Sequence, residues 1–366
     1  MSSTPTTSAK TIVADPEGDV LLLLEPESTE SEPVNKIKIL CSSKHLGLAS
    51  AVFKAMLRPN VYNEGTTLSH VGKVDIPLPE DDTEIMTTLV LLIHGRHQHP
   101  DFHPLLTIDC LGQAAILVDK YQMHEATNFI TAEWARSYFR QNPILCHRLS
   151  ELPFLFCITW VFNMEDDFRQ VTRQMQYKTV GSIIDSMASF PVDLPIPHSV
   201  IQRLERSRRT NIARVIEIIR LMIATREDNI DSADRFCRAT GRSESQEDVI
   251  AVQQHRRRCD RVVLDGLISA ASQNGIWPLN VAQSLVDTSS FFRIAEKATT
   301  LDFTTECDRL IALHTNQTRV MYEVASSHRI KNEIQGGVRL IEIRFIGLGL
   351  KREKAKFDVP MLETHR

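Results

Sequence analysis

The stretch Ser42-Ser43-Lys44-His45-Leu46-Gly47-Leu48-Ala49-Ser50-Ala51-Val52-Phe53-Lys54-Ala55-Met56-Leu57 decides the fold. Its apolar residues Leu46, Leu48, Ala49, Val52, Phe53, Met56 and Leu57 recur at spacings of three and four, which gathers them on one face of a helix. Ser42 and Ser43 supply hydroxyls that can accept from the unpaired first-turn amides, and Pro59 stops the helix beyond Leu57. An amphipathic helix needs a core to face. The flanking sequence supplies one.

Upstream, Val20-Leu21-Leu22-Leu23-Leu24 is a short apolar run closed by Glu25-Pro26, the profile of a buried strand. Lys36-Ile37-Lys38-Ile39-Leu40 alternates polar and apolar across a polar, acidic turn from Ser28 to Pro33, so the two runs read as a hairpin. Residues 1–16 are rich in Ser and Thr and read as a flexible polar tail. Downstream, a loop containing Asn63-Glu64-Gly65 leads to Val74-Asp75-Ile76-Pro77-Leu78-Pro79, a short strand ended by proline. Glu80-Asp81-Asp82 then places acidic groups at the positive end of a strongly apolar helix from Thr83 to His94. Two further helical stretches, Ile108 to Val118 and Glu125 to Trp134, flank Asp119-Lys120-Tyr121. Strands followed by a helical pack make an α+β arrangement.

This order resembles the BTB/POZ domain in its fungal form. Gly18-Asp19-Val20 is similar to the opening of that family. Ser43-Lys44-x-Leu46 followed by Ala49-Ser50-x-Val52-Phe53-Lys54-x-Met56 is similar to its signature helix. Ile76-Pro77-Leu78-Pro79-Glu80-Asp81-Asp82 and Ala115-x-Leu117-Val118-Asp119-Lys120-Tyr121 resemble its third strand and its late Ala-Asp-x-Tyr motif. Ser43 stands where the family usually has His, and Ala126 where Leu is common; Ser also hydrogen-bonds, and the second change is one of packing. The resemblance spans residues 17–135 and leaves 136–366 as a mainly helical C-terminal region with a proline-rich linker near 190–198.

The resemblance implies a module that presents surfaces to other proteins, often to a second copy of itself, and carries no catalytic group. In family members that dimerise, an acidic residue at the first strand and a basic one at the helix start line the interface; Asp19 and Lys44 occupy those positions. The alternative is that Asp19 orders the hairpin and Lys44 is solvated. Binding of a cullin-type ubiquitin-ligase scaffold tends to use an apolar-x-Glu tripeptide after the signature helix, a pattern that Tyr62-Asn63-Glu64 matches. An ordinary polar loop is the other reading of so short a motif.

Bulk properties set the outer limits. The chain has 366 residues, 42% hydrophobic and 24% charged, with a formal net charge of -4. No global field steers it to nucleic acid or anionic membrane, and its longest apolar runs fall short of a membrane span. The seven cysteines, with no CxxC pair and no apolar leader, point to a reducing compartment, cytosol or nucleus. His94, His97, His99 and His103 crowd one loop, which reads as a solvated turn and not a metal site. Glu165-Asp166-Asp167 reads as an exposed helix start. No G-x-S-x-G, HExxH or Walker pattern occurs, so neither an enzyme nor a cofactor is expected.

In the C-terminal region Leu152 to Val161 reads as core, Phe162 to Asp185 as a helix or two, and Val200 to Thr225 as a clear amphipathic helix. Arg203, Arg206, Arg208 and Arg209 read as its solvated face, because Glu205 and Glu217 alternate with them and no aromatics interleave for base stacking. A transcription or chromatin regulator meeting DNA through these arginines and His255-Arg256-Arg257-Arg258 is the competing function. Cys237, Cys259 and Cys307, with His255 and His314, fit no known finger spacing and read as buried free thiols. Cys259 to Ala271, Val281 to Lys297 and Thr305 to His328 read as helical; Val338 to Leu350 reads as strand or helix.

Overall fold

Alternating apolar positions pair the two N-terminal runs into the expected hairpin. In the computed structural model, which describes residues 10–24, 36–229, 237, 239–241, 244–305, 307, 309, 320–321 and 326–343, β2 (Val20–Leu24) lies antiparallel to β3 (Ile37–Cys41) with Leu22 opposite Ile39. The connecting turn, Ser28 to Pro33, lies outside the described residues. Val20, Leu22, Leu24, Ile39 and Cys41 form the inward face and are buried.

β1 (Lys10–Val13) pairs parallel with β3, which corrects the expectation of a tail through residue 16. The reason is local: Ile12 and Val13 are β-branched, and Ile12 is buried against the sheet. β4 (Val74–Leu78) pairs parallel with β2 at the opposite edge, giving the order β1-β3-β2-β4. The edge position tolerates Pro77, whose missing N–H costs no ladder bond on the open side.

The predicted helix from Leu46 to Leu57 is two helices, α1 (Ser43–Ala49) and α2 (Ala51–Met56). They break at Ser50, whose backbone is extended and whose hydroxyl accepts from the Phe53 amide. Serine competes with helical bonding in this way, so it caps where the apolar period alone runs on. The segment read as a loop around Asn63-Glu64-Gly65 is helix α3 (Asn63–Val71), closed by Gly72 in the left-handed conformation at φ 78°. Its mixed composition carries little apolar period, so the pattern conceals it.

α4 (Thr83–Ile93), α5 (Ile108–Lys120) and α6 (His124–Gln141) fall where the apolar spacing puts them. The boundary drawn at residue 135 cuts through α6. The first compact unit instead runs to Thr172, with Val192–Ile196. α7 (Leu152–Val161) is buried all round and packs on α5, where a Cβ at Gly112 would fall 2.4 Å from a ring carbon of Phe154. α8 (Glu165–Lys178) follows, its acidic first turn paired with Arg169 as a helix start.

The second unit comprises Arg173–Pro191 and Pro197–Ile346. It contains α9 (Ile183–Ala188), α10 (His198–Asn229), α11 (Gln246–Gln273), α12 (Leu279–Thr288), α13 (Phe291–Thr299) and α14 (Ser326–Ile343). The proline-rich stretch is irregular chain, yet α9 and α10 on either side of it belong to this same unit. Thr305 to His328 is not helical throughout: β6 (Val320–Met321) pairs antiparallel with β5 (Thr240–Gly241). From Val338 the chain is helical to Ile343, and the rest of the stretch to Leu350 lies outside the described residues.

Arg208 does not belong to the solvated face of α10. It follows Leu204 by four and precedes Ile212 by four, which sets it in the inward stripe, and it is 0% exposed. Its guanidinium donates to both carboxylate oxygens of Glu205, at 3.0 and 2.9 Å, and to the Val286 carbonyl at 2.9 Å. Glu205 also accepts from the Ile183 amide at 2.9 Å, so the pair ties α9, α10 and α12. Burial alone would raise the Glu205 carboxyl, but the bonds from Arg208 and Ile183 outweigh it and hold the group below the usual range. That stabilisation is present above the unfolded pKa of about 4.3 and is lost as pH falls through the lower folded value. Glu205→Ala, which strands the Arg208 charge, is expected to cost about 3–5 kcal/mol in urea denaturation at neutral pH. Arg209→Ala, at a half-exposed partner of Glu205, should cost at most about 1 kcal/mol.

Candidate functional site

The residues that carry the N-terminal motifs converge on one buried centre. Ser50 Oγ, besides capping α2, donates to the Tyr121 carbonyl at 2.5 Å. The Phe53 and Tyr121 rings stack with centroids 4.7 Å apart and planes 5° from parallel. The Tyr121 hydroxyl donates to the Asp81 carboxylate, and Lys120 Nζ reaches the same carboxylate at 2.7 Å. Asp81 is 4% exposed. Burial, together with the adjacent carboxylate, pushes the Tyr121 phenol far up, so it stays protonated and remains a donor. Of the acidic trio placed at the start of α4, only Asp82 caps it, accepting from the Ile85 amide at 2.9 Å. Asp81 turns inward. Spacing does not reveal that choice, because all three acids suit the helix dipole.

The four residues expected at a partner interface lie on two separate features. Asp19, half-buried just before β2, accepts from the Ser43 amide at 2.7 Å and from the Ser43 hydroxyl at 2.6 Å. It thereby fastens the first turn of α1, a local role and not a charge pair with Lys44, and Lys44 itself is exposed. Tyr62 is the exposed N-cap residue of α3, and Glu64 is half-buried in its first turn. Asp19→Ala should cost about 1–2 kcal/mol in thermal or urea denaturation through loss of the α1 bonds. Lys44→Ala should change stability by less than about 0.5 kcal/mol; equal losses from the two would contradict this geometry.

The histidines of the α4–α5 connection do not gather. His94 stacks on His45 at 4.8 Å, accepts from the Ser42 amide through Nε2 and bonds the Val90 carbonyl through Nδ1. Burial lowers its pKa, in keeping with the neutral ring that those two bonds require. His97 sits edge-on to Phe102, and His99 pairs with Asp101.

A different set of ligating atoms converges in the second unit. Cys237, His255, Cys259 and Cys307 are all buried, and their ligand atoms lie within 4.8 Å of one another. Among the described residues this is the one such gathering of three or more Cys, His, Asp or Glu. Cys307 Sγ is 3.6 Å from Cys237 Sγ, 3.7 Å from Cys259 Sγ and 3.1 Å from His255 Nε2. Bonds from Cys237 and Cys307 lower the pKa of the Cys259 thiol; the bond with Cys259 raises that of Cys237, and the bonds with Cys237 and then Cys259 raise that of Cys307. The thiols are buried as expected, but not apart. His314 lies outside the described residues. The only trace in the sequence is His255 and Cys259 at i and i+4, which share a face of α11; Cys237 and Cys307 are 70 residues apart.

The basic knot at 255–258 divides along the same helix. His255 points inward, Arg256 Nε donates to the Ala239 carbonyl at 2.7 Å, and Arg257 and Arg258 are exposed. No helix among the described residues is long and apolar enough to cross a membrane. Comparison with protein-family models, curated proteins and solved structures finds no match to this chain.

Proposed function

We propose that this chain is a non-enzymatic protein–protein interaction adaptor whose first unit is of BTB/POZ type and self-associates. The observation that carries the reading is the convergence of Ser50, Phe53, Asp81 and Tyr121. Three motifs that resemble one family, far apart in sequence, meet in a single packed centre. Their polar groups are spent on each other and on the backbone, which leaves surface as the means of action.

That surface has an apolar feature where an interface needs one. Leu48 projects from α1 at 88% exposure while its neighbours Leu46 and Ala49 are buried. Val61 and Val71, at the two ends of α3, are also exposed. The competing DNA-binding reading loses ground, since Arg208 is buried on Glu205 and Arg209 is bonded to Glu205 and Asp287.

Sedimentation equilibrium of the full chain tests the proposal. The wild type should weigh as a dimer at micromolar concentration, and Leu48→Glu should weigh as a monomer with an unchanged circular dichroism spectrum, because a charge set in an apolar contact is costly to desolvate. A wild type that stays monomeric to several hundred micromolar would exclude self-association.

A further inference from the structure

We infer that Cys237, His255, Cys259 and Cys307 form a structural zinc site that fastens three distant segments of the second unit. The inference stands independently of the function proposed for the first unit.

Geometry is the first ground. Zinc in a closed protein site takes four tetrahedral ligands, with sulfur at about 2.3 Å and imidazole nitrogen at about 2.1 Å. Two thiolates so held are about 3.8 Å apart, and a thiolate and an imidazole nitrogen about 3.6 Å. The sulfurs here are separated by 3.6 and 3.7 Å, close to that spacing and well beyond the roughly 2 Å of a disulfide. His255 Nε2 lies 3.1 Å from Cys307 Sγ, within a small adjustment of the same arrangement. The donor count is four, and all four residues are buried, which leaves no open position for substrate water and marks the site as structural.

Ligand chemistry is the second ground. Three thiols and an imidazole turned towards one another in one buried pocket make a four-donor set for a borderline-soft dication. Soft sulfur ligands with one imidazole, in tetrahedral spacing, select zinc over the hard cations that prefer oxygen.

The supporting bonds are the third. Cys237 comes from the segment ahead of β5, His255 and Cys259 from successive turns of α11, and Cys307 from the chain beyond α13. Asp260 accepts from the Cys237 amide at 2.8 Å, and Arg256 binds the Ala239 carbonyl, so α11 grips the Cys237 segment on both sides. Cys237, Cys259 and Cys307 belong to one buried core with apolar residues of α10, α11, α13 and α14. A metal here would close a loop of 70 residues, from Cys237 to Cys307.

The test uses the full chain, reduced, desalted and titrated with cobalt(II) chloride and then zinc chloride. The expected result is one equivalent of cobalt with the intense thiolate charge-transfer and red ligand-field absorption of a tetrahedral sulfur site, displaced by one equivalent of zinc. His255→Ala and Cys259→Ser should each weaken zinc retention against a chelator at least about tenfold. Cys157→Ser, at a buried thiol of the first unit, should leave the stoichiometry unchanged. Because the cobalt spectrum is read on the wild-type chain, a variant that fails to fold does not obscure the answer. Octahedral cobalt without charge transfer, no uptake by chain that elemental analysis shows to be free of zinc, or a disulfide among the three cysteines in freshly purified chain would each overturn the assignment.

Discussion

The bond from the Tyr121 hydroxyl to the buried Asp81 carboxylate is the constraint on which the first unit depends. Asp81 sits between β4 and α4, Tyr121 closes α5, and the ring of Tyr121 lies flat on Phe53 of α2. A carboxylate at 4% exposure is costly unless it is well bonded, so the sequence must deliver the tyrosine and Lys120 to it together. Adjacency in the chain accomplishes this, with Lys120 ending α5 and Tyr121 capping it. Strand, helix start and helix end are thereby locked at one point. The Ser50 hydroxyl adds the break between α1 and α2 to the same knot.

Much of the first unit is legible in the order of its residues, and the reasons are specific. Val20–Leu24 is an unbroken apolar run between turn signals, Ile37–Leu40 alternates with a period of two, and Thr83–Ile93 and Ile108–Lys120 carry apolar residues at helical spacing, because each packs on a common core. The concealed features lack that property. β1 is only four residues long, and α3 buries little of itself. The break at Ser50 depends on one hydroxyl, which apolar spacing does not record. Spacing cannot tell Asp81 from Asp82 because the difference between them is a partner forty positions away.

The second unit is harder to read because its specificity comes from polar groups placed in apolar stripes. Arg208 occupies a position where Leu204, Ile212 and Val215 set the expectation of an aliphatic side chain, and it is paired within its own helix. A buried ion pair of this kind is a weak source of net stability but punishes any packing that leaves one charge alone. The thiol and imidazole cluster follows the same logic on a longer scale. Its residues come from segments that share no local motif, so only the folded chain brings them together. Both devices restrict how the helices can assemble, while the apolar core supplies most of the drive to assemble at all.

If Asp81 and Tyr121 act as one unit, their contributions to stability are coupled. A double-mutant cycle on the full chain measures this, comparing the unfolding free energies of Asp81→Ala, Tyr121→Phe and the double variant with the wild type. The predicted coupling is about 1–3 kcal/mol, because removing either partner already strands the other in a buried site. Losses that add to within about 0.5 kcal/mol would show the two residues to be independent and contradict that constraint.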